Sequence, residues 1–349
     1  MGYPGDEPEA VQPAEEQPKP AAGMTAGPGE TPAPPVKDVV SSEATGPTGR
    51  AARAVRAQAN RGVVRSIHYQ MSYVVRNESA GPRGAVVLLH DLPGGAFTWA
   101  EAAAQLDGIQ RSVYAFDLLG YGDSDHPWPS DTSIWGQADC LSYALKGVGL
   151  TEIVLVGVGL GGGVAQVLAT RLLRERVAKL SLINTYAYEY AFAPNWPLTE
   201  MAKRQDPEAP KHTPEDQVLA DLRTTLPQGS AKPRFLTGSK LDAYVNEWQG
   251  HIGMELLFQH VRLMMPLYMN SITPGMRMLE IPVQIIWGAE DSVTPLSLGE
   301  RLRRDVSGAR LDVVPGAGHL ILDDAPEAVG KLVAEFAGVP SASNFVVAR

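Results

Sequence analysis

The sequence predicts an α/β fold: a mostly parallel sheet with helices on both faces, plus an inserted helical cap. Three observations carry this. Short, continuous apolar runs recur along the chain, as in strands buried on both faces. Helical stretches lie between most of them, the alternation that builds parallel sheets. One long span, rich in Pro, Met and aromatic residues, breaks the alternation without adding buried strands.

The elements follow in order. Residues 68–75 (HYQMSYVV) alternate and are β-branched, so they predict the first strand. AVVLLH (85–90), VYAFD (113–117), EIVLVG (152–157), KLSLIN (179–184), VQIIWG (283–288) and RLDVVPG (310–316) predict the rest of the sheet. Trp99 to Leu106 and Val164 to Val177 predict helices between strands. The organisation expected is a tail over 1–62, a first core part over 63–185, a helical cap over 186–279 and a last core part over 280–349.

The first fifty residues are rich in Pro, Glu, Ala and Gly and cannot bury enough apolar surface to offset their ordering entropy, so a disordered tail is expected. It reads as a solubilising segment, with tethering of a partner as the sharper alternative. Arg50, Arg53, Arg56, Arg61 and Arg65 then form a short basic stretch, expected to be a solvated helical lead-in.

Composition narrows the function classes. Of 349 residues, 44% are hydrophobic, enough for a sizeable core, and the net charge of -9 argues against nucleic acid as a partner. The single cysteine, Cys140, cannot form an intrachain disulfide and reads as a small buried hydrophobe. The first residues show no basic and apolar pattern of a signal peptide, Asp6 breaks the myristoylation pattern after Gly2, and no apolar run reaches membrane-span length. A cytoplasmic location is the resulting expectation. The scattered histidines have no metal-ligand spacing, so neither metal nor cofactor is expected.

Five strand ends carry distinctive turns. AVVLLH leads into His90-Asp91-Leu92-Pro93-Gly94-Gly95. VYAFD leads into Asp117-Leu118-Leu119-Gly120-Tyr121-Gly122-Asp123-Ser124. EIVLVG leads into Gly157-Val158-Gly159-Leu160-Gly161-Gly162. Later come Gly288-Ala289-Glu290-Asp291 and Gly316-Ala317-Gly318-His319. In this order and spacing the turns resemble those of the α/β-hydrolase family over about residues 66–339, with the cap matching only in kind.

The resemblance implies nucleophilic catalysis: a side chain on a tight strand-to-helix elbow attacks, a histidine takes its proton and a carboxylate orients the histidine. It makes His319 the base and Asp291 its partner, with Glu290 excluded by the family's spacing. It assigns the oxyanion hole to the backbone N–H groups of Leu92 and Leu160. The cap is expected to close an apolar pocket, with Trp196, Trp248, Met265 and Tyr268 as candidate substrate contacts beside Met264 and Met269, and about half of these serving as cap core.

Two residues depart from the family pattern. The elbow carries Gly159 where the nucleophile belongs, and neither Cys140 nor Ser292 replaces it. Glycine relieves backbone strain of about 1–3 kcal/mol at such a position and is expected to leave space beneath His319 for a water or small ligand. Asp91 stands where the family usually has glycine; pointing outward it is harmless, and pointing inward it repels a developing oxyanion.

Gly157, Gly159 and Gly162 also spell a dinucleotide-binding fingerprint. No acidic residue follows at the next strand end, where LINTYAY stands, and the other four turns go unexplained, so this reading ranks last. Ahead of it stand a conventional hydrolase, weakened by Gly159; an enzyme using His319–Asp291 as general base without a covalent intermediate, of lyase, hydrolase or cofactor-free oxygenase type; and, placed first, a non-hydrolytic binding protein or pseudoenzyme for an apolar small molecule or protein partner.

Overall fold

The computed structural model describes residues 60–188, 209–264 and 269–338. These form an eight-stranded sheet in the order β1-β2-β4-β3-β5-β6-β7-β8. β1 (Asn60–Ser66) and β2 (Tyr69–Arg76) form an antiparallel hairpin, and β2 runs antiparallel to β4 (Val113–Phe116). From β4 onward every pairing is parallel: β3 (Val86–Leu89), β5 (Ile153–Val158), β6 (Val177–Ile183), β7 (Val283–Gly288) and β8 (Arg310–Val314).

The apolar runs fall where expected because central parallel strands are covered on both faces. Every residue of β3, β4, β5 and β7 is buried. One face carries α1 (Ile134–Gly147), α2 (Leu160–Val167, continued by a wide turn over Leu168–Leu172) and α6 (Leu296–Asp305). The other carries the helical turns over 96–106 and α7 (Pro326–Gly338), where Trp99, Leu106, Val329 and Val333 pack against Val86, Leu88, Val154 and Val156.

Two expectations need correction. Arg61 and Arg65 lie in the edge strand β1, not in a helix: their neighbours Val63 and Val64 are β-branched, and Val64 pairs with Met71. Arg50, Arg53 and Arg56, with the rest of residues 1–59, lie outside the described residues, and the last residues of the expected tail, 60–62, belong to β1. The helix expected over 164–177 begins at Leu160 and ends at the wide turn, and Val177 already belongs to β6.

Between β6 and β7 the described chain is helical, with α3 (Glu215–Thr225), α4 (Gly238–Val245) and α5 (Gly250–Leu263) as its main pieces. Buried contacts tie this cap to the core, among them those of His260 and of Asp324. His260 of α5 donates from Nε2 to the Gly120 carbonyl at 3.2 Å and stacks on Tyr121. Burial, partly offset by that hydrogen bond, drives His260 down to about 3, so it is neutral. Asp324 accepts from the backbone N–H of Ala231 at 2.9 Å and of Lys232 at 3.2 Å, from the Ser230 hydroxyl, and from the N–H of Gly318 at 2.8 Å. No helix among the described residues is long and apolar enough to cross a membrane.

Candidate active site

The carboxyl ends of the parallel strands deliver the site, where ligands of open α/β sheets gather. β3 delivers Asp91, β5 delivers Gly159, β6 delivers Asn184 and Tyr186, β7 delivers Asp291 and β8 delivers His319.

The elbow forms because two backbones approach closely. The N–H of Gly161 donates to the His90 carbonyl at 3.0 Å, and a Cβ at 161 would collide with the carbonyls of Leu89 and His90. Gly159 adopts φ 52° and ψ -114°, a conformation that favours glycine. A side chain there would meet more than strain: its Cβ would overlap the carboxylate of Asp91.

Asp91 therefore points inward, and the space expected beneath His319 is filled by its carboxylate. Oδ1 accepts from the backbone N–H of Leu92 at 2.8 Å and of Leu160 at 2.7 Å, and from the Tyr186 hydroxyl at 3.2 Å. The two backbone donors expected to form an oxyanion hole do converge on one oxygen, but that oxygen is the protein's own. Because Leu160 opens α2, the carboxylate also caps that helix where its dipole favours negative charge. The anion-binding end on which the dinucleotide reading relied is thus occupied from within.

The second oxygen faces His319. Nε2 of His319 lies 3.3 Å from Asp91 Oδ2, and Nδ1 lies 3.1 Å from Asp291 Oδ2. Asp291 is fully engaged: Oδ1 accepts from the N–H groups of Val293 and Thr294, both at 2.8 Å, and Oδ2 from the Thr294 hydroxyl at 2.7 Å. Burial pulls the imidazole of His319 down, but Asp291 and then Asp91 outweigh it and lift the group to about 10. At neutral pH the array is a buried imidazolium between two carboxylates.

The loops holding these groups are themselves fastened. Asn184 accepts from the N–H of Gly288 at 2.9 Å and donates to the carbonyls of Gly318 at 2.9 Å and His319 at 3.1 Å. The N–H of His319 donates to Gly229 of the cap at 2.7 Å. His90 accepts at Nε2 from the N–H of Leu118, so Nδ1 carries the proton that it donates to the Asp91 carbonyl, each at 3.0 Å. Asp117 ties the N–H of Ala96 at 2.7 Å to that of Asp123 at 3.2 Å. The Asp-x-x-Gly-x-Gly-x-Ser turn is thus a brace for the loop that bears Asp91.

Beside Asp91 and His319 lies a cavity of about 20 Å³, walled by Leu92, Val158, Leu320, Ile321 and Tyr244. It holds about one water. Of the candidate pocket residues, Trp248 is 1% exposed and packs edge-on against Tyr121 and His260, so it serves as cap core; Met264 and Met269 are buried too. Trp196, Met265 and Tyr268 lie outside the described residues. Tyr186, absent from the candidates, was legible only as the residue just beyond β6. Cys140 is buried on α1. Among the described residues no group of three acidic, His or Cys side chains is placed to hold a metal ion.

The family model of the alpha/beta hydrolase fold matches residues 84–326. This chain belongs to the α/β-hydrolase fold family. It is 28% identical over 282 residues to the uncharacterized protein Rv2715 of Mycobacterium tuberculosis, covering 74% of this chain and 76% of that one. It is 24% identical over 291 residues to monoacylglycerol lipase ABHD6 of Rattus norvegicus, covering 78% and 81%. It is 27% identical over 281 residues to epoxide hydrolase 4 of Mus musculus, covering 74% of each chain. Among solved structures, an α/β hydrolase fold protein from Burkholderia ambifaria superposes with a TM-score of 0.69 at 24% identity, covering 79% of this chain and all of that one.

Proposed function

We propose that this chain is an active hydrolase of the family, working through His319 and Asp291 on a carboxylate, Asp91, in place of an elbow side chain. The observation that carries the reading is the continuous buried array Asp91–His319–Asp291. A family member that had lost its chemistry would have no need to keep a buried imidazolium satisfied on both sides by charge, an arrangement that is expensive to desolvate. The hydrolases among its curated relatives support the general class. Acyl transfer through residue 159 is closed, because glycine offers no nucleophile and the oxyanion donors are already taken.

The binding-only reading keeps one observation in its favour: Asp91 saturates the very donors an acyl substrate needs. Turnover decides between them. Purified protein is assayed on short aryl esters, epoxides and haloalkanes, with His319→Gln beside it. Turnover lost in His319→Gln supports the hydrolase; no turnover of any substrate class, with the fold intact by circular dichroism, leaves the binding reading standing.

A further inference from the structure

We propose that Asp91 is a relocated covalent nucleophile, attacking an electrophilic sp3 carbon that bears a halide or a strained ether oxygen. This rests on the hydrolase reading above.

Three observations converge on it. Gly159 and Asp91 are complementary: the carboxylate occupies the volume that a side chain on the elbow would need. The two oxygens of Asp91 are chemically distinct. Oδ1 is held by Leu92, Leu160 and Tyr186, the environment of an ester carbonyl oxygen, whereas Oδ2 faces His319 and carries no backbone donor. With Oδ1 filling the oxyanion donors, the carbonyl of an ester or amide substrate has no place to develop charge, but attack at an sp3 carbon needs none.

The steps balance. Oδ2 forms a bond to the substrate carbon as the carbon–halogen or carbon–oxygen bond breaks, and the leaving group departs with the electron pair. Halide leaves as such; an opened epoxide is an alkoxide and takes a proton from water. Asp91 is then a neutral ester, so one of the two charges holding the proton of His319 is gone; Asp291 alone holds that proton less tightly, and it passes to water in a fraction of molecules that grows with pH. Neutral His319 takes a proton from a second water, which fits the small cavity beside it, as the water's oxygen attacks Cγ of Asp91. Negative charge builds on Oδ1 against its three donors. Collapse expels the product alkoxide, which is protonated by His319, and the acid of Asp91 returns its proton to the imidazole. The product oxygen comes from Asp91, and the oxygen of water stays in Asp91.

That last point is the test. The full chain is allowed a single turnover of bromohexane, and separately of epoxyhexane, in water enriched in heavy oxygen, and peptides are read by mass spectrometry. The inference expects one heavy oxygen in the peptide bearing Asp91, and in His319→Gln an alkyl ester accumulating on Asp91 as turnover falls by roughly 10²-fold or more. Which arm reacts tells halide from ring ether. Turnover that needs His319 but puts the heavy oxygen into product in the first cycle, with no adduct, overturns the inference and leaves the hydrolase reading intact. Turnover of esters alone overturns it likewise. No turnover of esters, haloalkanes or epoxides removes both.

Discussion

The carboxylate of Asp91 occupies the place from which a side chain on residue 159 would start, so these two positions, 68 residues apart in the chain, compete for one volume at the end of β5.

Substitution at either position alone should therefore fail where the pair succeeds. Gly159→Ser meets the carboxylate of Asp91 and adds backbone strain of about 1–3 kcal/mol, so a clear fall in melting temperature and no esterase activity are expected. The double change Asp91→Gly with Gly159→Ser frees the oxyanion donors and places a hydroxyl near His319. It should recover much of the stability and gain aryl-ester hydrolysis, read by product release. A double variant no more stable than Gly159→Ser would refute the competition.

Asp91→Asn keeps an oxygen for the N–H groups of Leu92 and Leu160 but removes a charge from His319. The pKa of His319 should fall below about 10 while Asp291 still holds it above its ordinary value. A histidine raised in the folded state stabilises fully below its unfolded pKa of about 6.5 and loses that contribution as pH rises through its folded value. Wild type should thus lose stability between about pH 6.5 and 10, and in the asparagine variant that loss should finish at lower pH. Thermal unfolding across this range measures it.

His260 carries the opposite sign. Its folded pKa is depressed to about 3, so the neutral form stabilises above its unfolded value and the contribution is lost as pH falls. His260→Phe retains the ring against Tyr121, gives up one hydrogen bond, and should show a shallower acid loss in urea unfolding from about pH 6.5 downward. A wild-type slope in the variant would place the acid sensitivity elsewhere.

Asp324→Ala removes one carboxylate from the N–H groups of Gly318, Ala231 and Lys232 and from the Ser230 hydroxyl. Each buried donor left unpaired costs about 1–3 kcal/mol, so a loss of several kcal/mol is expected. Because Gly318 precedes His319, any turnover should drop as well, and Asp324→Asn should restore part of both. Equilibrium denaturation with parallel activity assays tests this.

Much of the fold could be read from the chain because buried parallel strands announce themselves as apolar runs, as in Val86–Leu89 and Ile153–Val158. The edge strand β1 could not, since its pattern is half exposed and its two arginines mimic a helical face. At the site, the pairing of His319 with Asp291 and the convergence of Leu92 and Leu160 are what the resemblance of the strand-end turns to the α/β-hydrolase family implies. The direction of Asp91 is not. Whether that side chain turns in or out depends on the volume left at residue 159, a contact between distant loops with no local signature. Tyr186 was hidden for the same reason, since its hydroxyl finds its partner only after β3 and β6 are assembled around β5.

A carboxylate seated on two backbone N–H donors resembles the acid that an esterase holds just before releasing it. In this chain that occupant is covalently part of the wall and cannot diffuse away. Fluorophosphonate and boronate reagents, which report on serine hydrolases by bonding to an elbow hydroxyl under an open pair of donors, would find neither here, so surveys of proteomes with such reagents would pass over this protein whatever its turnover.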